Sequence, residues 1–141
     1  MPDVDQHLHD AAMAPPSETR MTEVVFPQQL NHHGTLFGGE ALSMMDRAAF
    51  VAATRHCRSE AVTIAVDQVD YVAPVGHGEI VEVLASVVST GRTSMTVRVS
   101  MVSEKLLSGE RRLCGRGRFV FVALGEDGRP VPVPPVATPA A

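Results

Sequence analysis

"GGEALSMMDRAAFVAATRHC", Gly38 to Cys57, is dense in alanine, leucine and methionine, strong helix formers. It reads as the chain's one convincing helix, about 18 residues and so about 27 Å long. Everything after it reads as strand. "AVTIAVDQVDYV" (61–72) stops at Ala73-Pro74, and "EIVEVLASVVST" (79–90) follows a glycine turn. "SMTVRVSMVSEKLL" (94–107) follows "GRT", and "RRLCGRGRFVFVAL" (111–124) follows Ser108-Gly109. A short strand, "TEVVF" (22–26), precedes the helix. In 94–107, Met95, Val97, Val99 and Met101 alternate with Ser94, Thr96, Arg98 and Ser100, so one face is core and one is wet. These elements predict an α+β fold in which a curved antiparallel sheet of about five strands wraps one long central helix.

With 141 residues, 45% hydrophobic and 20% charged, the chain suits one core and is too short for two. A mobile arm is expected over 1–20, the folded domain over 21–128, and a proline-rich extended tail leaving it over 129–141. The net charge of −4 argues against a nucleic-acid partner. Two cysteines, no leader-like start and no apolar run near the roughly 20 residues of a membrane span argue for a reducing, cytoplasmic setting without a membrane partner. His7 and His9 have no third ligand nearby and read as a solvated tail. A sheet on one helix leaves edges open, which predicts a homodimer at least.

No nucleophile elbow surrounds Ser43, Cys57 reads as an ordinary thiol, and neither a phosphate-binding loop nor a metal ligand set is present. What remains precedes and enters the helix. Gly38 and Gly39 leave helix-start N–H groups open to an oxyanion, and Asp46 lies two turns further on the same flank. Asn31 brings an amide on the loop before them. Carbonyl-polarising donors with one carboxylate to activate water suit hydrolysis of an activated acyl compound such as a thioester. Two plainer readings compete: the glycines permit close packing, or Asp46 pairs with Arg47, Arg55 or a partner's arginine.

"NHHGTLFGG" (31–39), with Asp46 six residues beyond, resembles the signature of hot-dog-fold acyl-CoA thioesterases. The similarity continues in order through "VDQVDYVAPV" (66–75), "GRTSM" (91–95) and "FVFVALGEDGRPVPVP" (119–134), and so covers about residues 22–134. The resemblance implies the hot-dog fold, with Asp46 as base or nucleophile, Asn31 orienting water or substrate, and Gly39 polarising the carbonyl. It also implies that Asn31 and Asp46 of one site come from different subunits, in a dimer or a hexamer built as a trimer of dimers. Gly38 and His33 would border the substrate, and Gly91, Arg92, Thr93 and Ser94 would line the coenzyme A groove, with Arg92 departing from the family pattern.

Arg92, Arg116 and Arg118 are the cations expected to receive coenzyme A phosphates, Arg116 and Arg118 sharing a strand face with Cys114; the competing reading is a solvated stripe. No cofactor is expected, coenzyme A being part of the substrate. The alternatives are a non-catalytic acyl-CoA sensor and a hot-dog hydratase using Asp46 with His32 or His33.

Overall fold

The structure is a computed structural model, and it describes residues 18–136 together with Gln6 and Met13. The elements are β1 (Thr19–Val24), a 3-10 turn (Pro27–Gln29), α1 (Gly38–Cys57), β2 (Glu60–Tyr71), β3 (Glu79–Thr90), β4 (Ser94–Lys105) and β5 (Arg111–Leu124). The strands form one antiparallel sheet in the order β1-β3-β4-β5-β2. α1 lies across it and touches all five. Its buried face is Ala41, Met44, Met45, Ala48, Ala49, Ala52 and Ala53; mostly small, these residues let the helix sit close to the sheet. Opposite them lie Val81, Val83, Met95, Val97, Val99, Phe119 and Phe121, each fully buried.

The helix bounds and the alternation of β4 agree with the sequence reading. Three features do not. β1 begins at Thr19 rather than Thr22, inside the segment expected as an arm, because its residues pair with β3 from Thr19 opposite Ala85 onward. The segment after Gly128 stays on the body instead of leaving it. In Pro130-Val131-Pro132-Val133 only the valines have N–H groups, and both donate inward, Val131 to the Ala123 carbonyl and Val133 to that of Arg92, each at 2.9 Å. Cys114 does not share the outer face with Arg116 and Arg118. The β4–β5 pairing passes from Val102–Leu113 to Met101–Gly115, so Cys114 is an extra residue and turns into the core. His7 and His9 lie outside the described residues.

β2 is the edge beside β5 and is exposed along most of its 12 residues. Val62, Ile64 and Val66 are 42%, 57% and 46% exposed, an apolar display unusual for a free edge. Two irregularities bend it, one at Ile64 and one at Gln68–Val69. At the second, an added Cβ on Gly117 of β5 would stand 3.1 Å from the Val69 side chain, a tight contact that Val69 would have to yield to.

Candidate active site

One stripe of α1 lies outside the sheet contact. Gly39, Leu42, Ser43 and Asp46 recur at helical spacing and, with Thr63, Val66 and Phe119, line a groove of about 310 Å³. Thr63 Oγ1 donates to Asp46 Oδ1 at 2.8 Å. The competing ion pairs are not made: Arg47 bonds Ser43 and Glu23, Arg55 reaches Thr19, and among the described residues Asp46 has no cation partner. Asp46 is therefore half-buried beside apolar neighbours with one carboxylate oxygen held by a hydroxyl and the other available.

At the head of the groove α1 starts without a capping side chain, its first helical bond being Ala41 N–H to the Phe37 carbonyl. The preceding N–H groups have no acceptor within the helix. The two glycines differ. A Cβ on Gly38 would touch the Tyr71 ring at 3.4 Å, an ordinary contact, and Tyr71 also donates its hydroxyl to the Gly38 carbonyl at 2.8 Å. A Cβ on Gly39 would meet nothing within 4 Å. Packing within the chain does not require a glycine there, but its absent side chain opens the N–H to a ligand.

Asn31 organises its own loop. Its Oδ1 accepts from His33 N–H at 2.9 Å and from the N–H and Oγ1 of Thr35 at 3.2 Å, an Asx turn completed by Gly34 at φ 77°. The side-chain amide nitrogen of Asn31 has no partner among the described residues, while its backbone N–H donates to the Thr35 carbonyl at 2.8 Å. One chain does not bring Asn31 into the groove beside Asp46. Nor does it bring His32 or His33 there; these exposed rings lie against each other, centroids 3.9 Å apart. Neither His32 nor His33 forms with Asp46, within the described residues, the Asp–His pair a hydratase would need.

Gly91, Arg92, Thr93 and Ser94 form a tight turn closed by Gly91 N–H to the Ser94 carbonyl at 3.0 Å. Met95, Phe121 and Thr63 form one row across the sheet, so the turn lies at the Thr63 end without lining the groove. Arg116 and Arg118 project from the face opposite α1. Their companion is Arg98, register partner of Arg118, and not Arg92 as the sequence suggested. Thr63 escaped the sequence reading because β2 has no buried face to reveal its alternation.

A smaller cavity of about 260 Å³ beside Gly38 and Tyr71 reaches Met101 and Cys114. Burial raises the Cys114 thiol from its ordinary 9.0 to about 11. The neutral thiol is thus favoured in the fold. Its contribution to stability is complete below pH 9 and is lost as pH rises toward 11, by at most about 1.4 kcal/mol per pH unit. Urea midpoints measured across that range should fall more steeply for the parent than for Cys114→Ala; equal slopes would contradict the assignment.

Comparison with known proteins gives the family and the fold. The thioesterase superfamily model matches residues 33–110. An uncharacterized acyl-CoA thioester hydrolase of Bacillus subtilis is 43% identical over 120 residues, 85% of this chain and 70% of that protein. The acyl-CoA hydrolase of Bacillus cereus superposes with a TM-score of 0.83 at 48% identity, covering 86% of this chain and 74% of that one. That of Staphylococcus aureus, solved with butyryl coenzyme A and coenzyme A, gives 0.82 at 34% identity over 86% and 74%. Its alanine mutants replace an asparagine, an aspartate and a threonine separated by fifteen and seventeen residues, the separations of Asn31, Asp46 and Thr63 here. A further relative in structure, a hexameric acyl-CoA thioesterase, gives 0.84 at 40% identity over 88% and 80%. The chain belongs to the thioesterase superfamily, among its hot-dog acyl-CoA thioesterases.

Proposed function

We propose that this protein hydrolyses acyl-CoA thioesters to a carboxylic acid and coenzyme A, with Asp46 as the base for water and no cofactor. The observation that carries this reading is a groove carboxylate, Asp46, held by the Thr63 hydroxyl and without an ion pair among the described residues. Asp46 takes a proton as the water oxygen attacks the thioester carbon, helix-start N–H groups hold the oxyanion, and collapse breaks the C–S bond. The departing thiolate then takes up the proton. Gly39 and Asp46 are separated by about 10 Å of helix rise, further than base and oxyanion donor usually stand from one reacting carbon. That separation, with the exposed apolar edge of β2 and the hexameric relative, supports a homo-oligomer in which Asp46 serves a carbonyl held by another protomer's Gly39 and Asn31. A dimer is the smallest such unit, and a trimer of dimers extends it.

Thiol release from acyl-CoAs of increasing chain length tests the activity, and no release from any of them would refute it. Thr63→Ala should lower kcat about tenfold, because it removes a hydrogen bond that orients a charged group; Thr63→Ser should recover most of the loss. Equal rates in both variants would assign the Thr63 hydroxyl to packing alone.

A further inference from the structure

The face of the sheet turned away from α1 carries a concavity of about 510 Å³, lined chiefly by Gln68, Asp70, Arg98, Ser100, Arg116 and Arg118. Arg98 on β4 stands directly opposite Arg118 on β5. Side chains so placed start about 5 Å apart, and like charges there repel. Two carboxylates of β2 lie near them by register, Asp70 and Asp67, and neither forms an ion pair with Arg98 or Arg118. Arg116 takes Asp70, Nε to Oδ2 at 3.2 Å. Asp67, opposite Arg118 on β2, makes no ion pair with it, and among the described residues neither Arg98 nor Arg118 has one. Other strand arginines are matched: Arg20 and Arg111 both reach Glu82, and Arg112 approaches Glu79. Gln68 lines the same hollow from a left-handed conformation, φ 52°, sparsely populated for a residue with a side chain.

Two guanidiniums without an ion pair among the described residues, on side chains that start about 5 Å apart and with amide and hydroxyl donors beside them, suit a group with several acceptor oxygens and more than one negative charge. A monocarboxylate would leave one guanidinium unmatched. The volume falls in the range of small-molecule sites. We propose that this cavity binds a phosphate group of a nucleotide-sized ligand between Arg98 and Arg118. Two sources share that chemistry, the nucleotide of the acyl-CoA substrate, which rests on the function proposed above, and a free nucleotide, which does not. Because the sheet separates this cavity from the Asp46 groove of the same chain, a coenzyme A held here would serve a site completed by another protomer.

The test compares the parent with Arg98→Gln/Arg118→Gln by titrating ADP and coenzyme A calorimetrically, melting each protein with and without ADP, and measuring hydrolysis of an acyl-CoA and of the matching acyl-pantetheine. The double variant should melt no lower than the parent without ligand, since repulsion is relieved. It should bind at least one of the two nucleotides about tenfold more weakly or worse and leave acyl-pantetheine turnover unchanged. A rise in KM for acyl-CoA with kcat retained identifies the substrate as the source; weakened ADP binding with an unaltered KM identifies a free nucleotide. Arg98→Lys, which keeps the charge and loses the fork, should show the same trend if the double variant folds poorly. Equal affinities for ADP and coenzyme A in parent and variants, with unchanged KM, overturn the proposal. Absence of hydrolysis of both acyl-CoA and acyl-pantetheine in the parent would instead refute the thioesterase reading and leave the ADP result standing.

Discussion

Replacing Asp46 by asparagine is expected to lower kcat for acyl-CoA hydrolysis by at least about a hundredfold, the lower end of what a positioned general base contributes. Asparagine keeps the size of the side chain, and its carbonyl oxygen can still accept from Thr63 Oγ1, which lies 2.8 Å from the carboxylate. What disappears is the proton acceptor. The fold should be retained, because Asp46 is in no ion pair among the described residues and replacing it strands no buried cation. Coenzyme A should bind the variant about as it binds the parent, so the loss belongs in kcat and not in KM. Steady-state kinetics with calorimetric titration of coenzyme A separate these terms. Rates within a few-fold of the parent would remove Asp46 from the reaction, and an equal loss of coenzyme A binding would make it a structural residue of the groove.

Mixing inactive subunits should restore activity. If each site combines Asn31 of one protomer with Asp46 of another, a heterodimer of Asn31→Ala and Asp46→Asn chains holds one intact site and one doubly damaged site. Random exchange in an equal mixture makes about half of the dimers mixed, which predicts recovery to about a quarter of the parent rate. The geometry motivates the experiment, since Asn31 spends its carbonyl oxygen on its own loop and does not line the Asp46 groove of its own chain. Exchange must be demonstrated independently, for example by mass spectrometry of differently tagged chains. Exchanged mixtures that stay as slow as the separate variants would confine each site to one chain.

The helix, the long strands and the buried methionines and valines of β4 were legible in the sequence because each depends on local features, a composition of strong helix formers in α1 and a period of 2 in β4. The same rigidity made Gly39 and Asp46 readable as neighbours on one flank, since a helix fixes relative positions over two turns. Even so, the sequence left open whether each glycine served packing or chemistry. The Tyr71 ring beside Gly38, at ordinary contact distance, and the open space at Gly39 show where a side chain would meet the fold, and the first depends on what β2 brings to the helix start.

Relations between strands belong to the tertiary structure alone. Thr63 meets Asp46 because β2 returns along the exposed flank of α1, with a bulge at Ile64 that no alternation along an exposed edge could announce. Cys114 turns inward because one extra residue resets the register of β5, and Arg98 replaces Arg92 as the neighbour of Arg118 because β4 and β5 pair at that register. Side-chain periodicity tells which residues of a strand share a face; only the hydrogen-bonded ladder between strands decides which residue of another strand each will face, and a slip of one residue changes every answer beyond it.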